Sequence, residues 1–378
     1  MKLFFDTVAM LNYPCGIAVY IKSLLNEFAA YPDLELHTGF KSINLKQHAK
    51  LKNKLREHVD NSLSYHPVYL PGRFSLRGIQ KIFAPSTYDV AHFTANIAPP
   101  YLPSCDFSKT IITIHDMFLW YDHFNHVNGA LENYILNHLQ EQASECAAIT
   151  TVSEFSRKEI IKYLGIPAEK IHVIPNGTQW RVEIPEFCNI LSDNGISEKR
   201  YFLSVSSLAV HKNFPNLCKA FSVYRASADY AGEKLVIVGS RRGGDEEIYS
   251  AIKSTPDVIH IPRVSEEELR YLYAKAKGFF LVSKLEGFGI PLLEAMSSHT
   301  PACYGKGNSM DEIGRDAAVG VDPDDIDGIA DVFRYFSAAP EDLQKRVDEA
   351  YQISQEYTWQ NVAEKYYELY KGIGKEIQ

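Results

Sequence analysis

Short apolar runs rich in β-branched and aromatic residues alternate with longer amphipathic stretches along most of the chain. The first half reads KLFFDTV, GIAVYIKSLLNEF, DVAHF, TIITIHD, AAITTVS, EFSRKEIIKYLG and KIHVIPNG. Runs that are apolar nearly throughout fit strands covered on both faces, and the longer stretches repeat apolar residues at helical spacing. Strands punctuated by helices predict βα units and a parallel sheet. After Gly177 the rhythm lapses, and residues 183–199 mix Pro, Gly, Asn and Asp without a period, as a linker does. A second series follows: YFLSVSS, NFPNLCKAFSVYRA, KLVIVGS, DVIHIP, SEEELRYLYAKA, GFFLVS, PLLEAMSS, TPACYG and AVGVDP. The pattern predicts an α/β chain of two halves, each doubly wound. Ligands in such sheets bind beyond the carboxyl ends of the strands, where the strand order reverses. The tail, YTWQNVAEKYYELYKGI, reads as a long aromatic amphipathic helix.

Composition adds limits. The chain has 378 residues, 46% hydrophobic and 23% charged, with a net charge of −8. That length exceeds one ordinary core, and the acidic balance speaks against bulk nucleic-acid binding. The six cysteines stand singly, with no CxxC pair. This argues against a disulfide framework and a zinc site and fits a reducing, cytoplasmic setting. No run is long and apolar enough for a spanning helix, and Asp6 interrupts the opening run, so a first strand is expected there rather than a signal peptide. One segment departs from the acidic balance. Residues 41–81 carry nine Lys and Arg against Glu57 and Asp60. Within it, LKQHAKLKNKLREHV places Leu51, Leu55 and Val59 on one helical face among basic residues, a pattern suited to an anionic lipid surface or simply to a solvated helix.

The candidate chemistry centres on SKLEGFGIPLLEAM. The apolar strand GFFLVS precedes it, KLEGFG reads as a loop, and IPLLEAMSS reads as a helix with Pro291 in its first turn. Gly287 and Gly289 let a ligand approach the backbone, and the helix start beginning near Ile290 suits an anion such as phosphate. Glu286 and Glu294 flank this cradle, with Phe288 between the glycines. Carboxylates repel phosphate, so they suit hydroxyls on either side of a charged centre. A nucleotide sugar has that layout. A first-turn glutamate favoured by the helix dipole, a solvated loop glutamate, or the acid and nucleophile of a glycosidase are the alternatives for this pair.

Elsewhere, Lys212 is a cation just past the strand YFLSVSS, where a surface lysine is the plain local reading. Gly16 precedes an amphipathic helix and again permits close approach. His115 ends TIITIHD, placed to donate to a sugar hydroxyl or hold a developing charge, or to serve as a structural residue. His92 and Asn96, in DVAHFTAN, are weaker candidates for an acceptor side. The aspartates of DPDDIDGIA read as a helix cap, so no metal site is expected.

EGFGIPLLEA resembles the E-x7-E signature of retaining glycosyltransferases of the GT-B fold, in family 4. The likeness continues through PCGIAVYIKSLL, TIHDMF, TVSEFSRKEI, VIPNG, SVSSLAVHKNFPNLCKAF and the closing YTWQNVAEKYYELY, in the family's order. It implies two Rossmann-like domains facing a central cleft. Residues 1–185 would form an acceptor-binding domain, 186–355 a nucleotide-sugar domain, and 356–378 a terminal helix crossing back to the first. It implies retaining transfer of a hexose, with mannose as the leaning, from a nucleotide-diphosphate sugar to a saccharide or lipid-linked acceptor in surface polysaccharide or glycolipid synthesis. No cofactor or metal is implied. By the resemblance Lys212 clamps the diphosphate, and the helix starts near Gly16 and Ile290 stabilise its developing charge, Gly16 also admitting the transferred sugar. Glu294 accepts from ribose hydroxyls, Glu286 from the donor sugar, and His115 orients that sugar. In the family an arginine often stands some six residues before the lysine. Ser206 and Ser207 are in that region here, leaving Arg241, Arg242 or Arg263 to replace it. The acceptor side of the family is often lipid-linked, so residues 41–81 are expected to provide peripheral contact with the inner face of a membrane. A sugar-nucleotide epimerase, a glycoside hydrolase and a non-catalytic nucleotide-sugar sensor are the rival readings.

Overall fold

The computed structural model describes residues 1–12, 15–41, 45–58, 65–70, 88–96, 106–121, 130–178, 188–241 and 245–375. Val59, Arg73, Arg77, Lys81, Cys105 and Arg242 lie outside them. The chain divides into two compact units, one of Met1–Gly177 with Thr358–Gln378, the other of Thr178–Tyr357.

In the first unit, β1 (Lys2–Asp6), β2 (Glu35–Lys41), β3 (Tyr65–Leu70), β4 (Val90–Phe93), β5 (Thr110–Thr113), β6 (Ala148–Thr151) and β7 (Ile171–Val173) form one sheet in the order β3-β2-β1-β4-β5-β6-β7. Every pairing is parallel. Successive residues of β1 serve opposite faces. Leu3 and Phe5 join a core with Tyr20, Leu24, Tyr366 and Tyr370, while Phe4 joins Phe93, Ile112, Leu139 and Ile160 on the other side. Alternation across a strand, with both faces apolar, is what a buried parallel sheet requires. The basic stretch forms the helix Leu45–His58. Leu55 is buried in the first of these cores, whereas Lys50 and Arg56 are exposed. The terminal helix Trp359–Lys375 packs on the same core through Trp359, Val362, Ala363, Tyr366, Tyr370 and Ile373.

The second unit repeats the scheme. Strands β8 (Tyr201–Val205), β9 (Lys234–Val238), β10 (Val258–Ile261), β11 (Gly278–Leu281), β12 (Ala302–Gly305) and β13 (Val319–Val321) lie in the order β10-β9-β8-β11-β12-β13, all parallel. Phe202, Phe221, Tyr224, Phe280 and Phe333 make an aromatic core in which Phe280 stacks on Phe333 at 3.9 Å between centroids. Residues 188–199, expected as linker, belong to this unit. Ile190–Asp193 forms a helical turn with Ile190 and Leu191 buried, and the Lys199 N–H donates to the Lys275 carbonyl. Short apolar residues spread among Asn, Asp and Gly gave no period to read. Among the described residues no helix is long and apolar enough to cross a membrane.

Candidate active site

In each sheet the strand order reverses once, between β1 and β4 in the first unit and between β8 and β11 in the second. Those reversals open crevices at the carboxyl ends of the strands. The sequence candidates gather at these two places.

In the second unit, the loops after β8 and β11 are stitched together. The Lys284 N–H donates to the His211 carbonyl at 2.8 Å. Asn213, with φ of 62°, sends its side-chain amide to the Val282 carbonyl at 3.1 Å. A left-handed turn tolerated by Asn thus places the preceding Lys212 over the neighbouring loop. Lys212 Nζ lies 2.6 Å from Glu286 Oε1, and Ser283 Oγ donates to the same oxygen at 2.7 Å. The lysine and glutamate side chains are 14% and 9% exposed, so the pair is shielded from water but reachable. An ammonium group has three donors. Glu286 engages one, leaving capacity for an anion at this crevice. Among the described residues Glu286 Oε2 takes no hydrogen bond.

The loop 282–289 is held from beneath. Ser309 Oγ donates to the Glu286 carbonyl at 2.8 Å and the Phe288 carbonyl at 3.1 Å, and the Asn308 side chain donates to the Gly305 carbonyl at 3.1 Å. Gly289, with φ of 106°, opens the helix Ile290–Ser297, with Pro291 in its first turn. A Cβ on Gly289 would come within 2.8 Å of Met310 Cγ. Phe288 turns into the core, edge-on to Tyr357 at 5.9 Å, so only its backbone is available to a ligand. Glu294, half-buried in the helix, accepts from the Tyr273 hydroxyl at 2.9 Å. Burial first, and then the nearby Glu294, push the Tyr273 phenol well above its ordinary pKa, so it stays a donor. Ser283, Asn308, Ser309 and Tyr273 were not foreseen. The turn-type run Gly-Asn-Ser after β12 was the available signal for two of them.

Of the arginines expected to add a second cation, Arg241 is held by Asp245 and Glu246 and lies over the Tyr249 ring at 3.9 Å. Arg263 is exposed at the end of β10, the edge strand. Among the described residues no group of three or more His, Cys, Asp or Glu side chains is gathered as a metal site. Asp325 caps its helix by accepting the Gly328 N–H at 2.9 Å.

In the first unit, His115 follows β5. Its Nε2 lies 2.8 Å from the Thr94 carbonyl, and its backbone N–H donates to Asn96 Oδ1 at 3.0 Å. A carbonyl only accepts, so Nε2 carries the proton. Burial depresses the ring's pKa to about 4, with the Thr94 bond opposing. The imidazole is therefore neutral near pH 7, and its remaining Nδ1 lone pair accepts. In this state the ring can accept a hydrogen bond at Nδ1 but has no second N–H to donate and carries no positive charge. Asn96 organises the turn, donating to the Asp116 carbonyl at 3.1 Å. His92 has no exposed surface. Its Nδ1 and Nε2 lie 2.7 Å from the Tyr370 hydroxyl and 2.6 Å from Thr113 Oγ1. With both nitrogens engaged, it is a core residue and not an acceptor contact. Gly16 opens the helix Gly16–Phe28, and a Cβ built there meets nothing within 4 Å. No packing within the described residues demands glycine at that place.

Residues 14–179 match the model of Glycosyltransferase Family 4, and residues 189–353 that of Glycosyl transferases group 1. O-antigen chain mannosyltransferase B of Escherichia coli is 25% identical over 98% of this chain and 100% of its own. O-antigen chain mannosyltransferase RfbU of Salmonella typhimurium is 29% identical over 57% of each chain. The crystal structure of Anabaena HepE in complex with UDP and glucose superposes with a TM-score of 0.75, covering 98% of this chain and 100% of that one at 17% identity. That likeness carries the fold alone. Two parallel α/β units, each with its reversal point, and models matched in succession along both place this chain among the family-4 glycosyltransferases of the GT-B fold.

Proposed function

We propose that this protein is a retaining, metal-independent mannosyltransferase. It moves mannose from a nucleoside-diphosphate donor to a saccharide or lipid-linked acceptor in surface polysaccharide or glycolipid synthesis. The observation that carries the reading is the Lys212–Glu286 pair at the β8/β11 reversal, beside a glycine-opened helix start. Lys212 and the N–H groups around Gly287, Phe288, Gly289 and Ile290 receive the diphosphate, whose negative charge grows as it leaves. Glu286 reads hydroxyls of the donor sugar and Glu294 those of the ribose. In the first unit, the helix start at Gly16 is open to phosphate or a sugar, and His115 can accept from a sugar hydroxyl. The activities that name the two relatives support mannose as the hexose. The exposed basic residues of Leu45–His58 support peripheral contact with anionic lipid at a cytoplasmic membrane face.

A thermal-shift panel of GDP-mannose, UDP-glucose, UDP-galactose and dTDP-glucose tests the donor. A ligand held at 100 times its dissociation constant adds about 2.7 kcal/mol of stability. GDP-mannose is expected to give the largest shift, with product formation unaffected by EDTA and an α-anomeric product by NMR. Stabilisation by none of the four would discard the reading. Isomerisation of the donor without an acceptor would point to an epimerase instead.

A further inference from the structure

Asp6 is the last residue of β1, at the β1/β4 reversal of the first unit, and only 3% exposed. Its Oδ1 accepts the Val8 N–H at 3.1 Å, and among the described residues no side chain donates to it. Next to it, Thr7 is fully buried, and among the described residues its Oγ1 has no partner. Two adjacent buried polar groups left short of partners are uncommon in folded proteins. Capping the turn after β1 does not explain an acid here, since Asn accepts the same N–H without a charge to bury. Burial raises the Asp6 carboxyl to about 7, against weaker opposition from the Val8 and Thr7 N–H groups, so the fold keeps this group at a cost.

The surroundings link Asp6 to the candidate site. Thr94, just past β4, donates its hydroxyl to the Asp6 carbonyl at 2.9 Å, and the Thr94 carbonyl in turn accepts from His115 at 2.8 Å. A carboxylate at this reversal repels phosphate and attracts a donor. A threonine hydroxyl gives or accepts. Together they suit a neutral polyol.

Resting on the glycosyltransferase reading above, we propose that Asp6, with Thr7 beside it, receives a hydroxyl group of the saccharide acceptor at the β1/β4 reversal. Asp6 accepts the hydroxyl's hydrogen bond and fixes its direction. Unit 1 thereby selects a hydroxyl-bearing ligand where unit 2 selects an anion.

The test uses the full chain, GDP-mannose as donor, and the methyl α-glycosides of mannose, glucose, galactose and N-acetylglucosamine as acceptor probes. Asp6→Asn keeps the acceptor for the Val8 N–H. It is expected to raise the acceptor KM roughly 10- to 100-fold, the range for losing a hydrogen bond to a charged group. The dissociation constant for GDP-mannose should stay within about threefold, a change under 1 kcal/mol. An unchanged acceptor KM overturns the inference while leaving the mannosyl reading in place. If the wild type transfers nothing from GDP-mannose, yet saturation-transfer NMR shows a glycoside bound and Asp6→Asn abolishes that binding, the mannosyl reading fails and this one stands. Binding of none of the four glycosides overturns it. Should Asp6→Asn fail to fold, Thr7→Val decides: a raised acceptor KM supports the site, and an unchanged one removes it.

Discussion

Lys212 Nζ lies 2.6 Å from Glu286 Oε1, although 74 positions separate the two residues. The neighbouring strands β8 and β11 bring their loops together at the reversal of the sheet. The pair makes each side chain a condition of the other's geometry. On the proposed reading, an ammonium group held by a carboxylate is already positioned when a diphosphate arrives, with the carboxylate beside it to meet a sugar hydroxyl.

Lys212→Ala removes this cation and leaves Glu286 with only Ser283 on that oxygen. Transfer is expected to fall by about 10²–10³-fold, the range for deleting one preorganised donor to a developing oxyanion. Glu286→Gln is expected to lower transfer while preserving the fold. A double-mutant cycle on thermal stability should show coupling between the two substitutions. Additivity within roughly 0.5 kcal/mol would mean that the two do not interact.

The glycines separate ligand access from fold. Gly16 faces open space, so Gly16→Ala is expected to leave the melting temperature unchanged or slightly raised, since Ala favours helix. Its added methyl stands where a ligand would approach, and transfer should drop. Gly289 differs: its φ of 106° and the 2.8 Å approach to Met310 Cγ penalise any Cβ. Methionine is flexible and can give way, but the backbone cannot, so Gly289→Ala should destabilise by about 1–2 kcal/mol. Differential scanning calorimetry beside initial-rate assays distinguishes the two classes.

Legibility in the sequence followed the strength of local periodicity. KLFFD, TIIT, GFFL and the helix at Gly16 stood out because continuous apolar runs and regular amphipathic spacing are local properties. The strands Glu35–Lys41 and Tyr65–Leu70 did not, since ELHTGFK is half polar and YHPVYL contains proline. Gly289 and Pro291 announced the helix start, so that turn was readable. What a partner across the sheet supplies was hidden. The Lys212–Glu286 pair and the Tyr273 hydroxyl on Glu294 depend on strand order and helix rotation, which no short window encodes. The place of His115 just past an apolar strand was legible, but its tautomer depends on the Thr94 carbonyl, 21 residues away.

Buried titratable groups set opposing pH slopes. Burial depresses His92 to about 3 and His115 to about 4, the former helped by its neighbour His115. Unfolded, both titrate near 6.5, so the unfolded chain takes up protons first as pH falls. Their contribution is whole above about 6.5 and is lost on acidification, by up to about 1.4 kcal/mol per pH unit for each. Asp6 runs the other way. Its folded value of about 7 exceeds the 3.8 of a free carboxyl, so its ionisation lowers stability as pH rises from about 4 to 7. Asp6→Asn should therefore stabilise the protein little near pH 4 and most above pH 7. Urea midpoints for the two proteins that stay parallel from pH 5 to 8 would contradict this assignment.

The terminal helix is fastened to the first unit by buried polar contacts as well as apolar area. Tyr370 hydroxyl meets His92 Nδ1 at 2.7 Å, and the Tyr366 hydroxyl donates to Thr150 Oγ1 at 3.2 Å. Tyr370→Phe keeps the ring and deletes one oxygen. His92 is then left with a buried nitrogen unsatisfied, at a cost of roughly 1–3 kcal/mol. Tyr367 offers the contrast, since its hydroxyl reaches Asp33 at the surface, where water replaces what Tyr367→Phe removes. Thermal unfolding is expected to shift clearly for the first substitution and by less than about 0.5 kcal/mol for the second. Equal shifts would mean that the His92 contact contributes nothing beyond ring packing, and that the terminal helix is held by its apolar face alone.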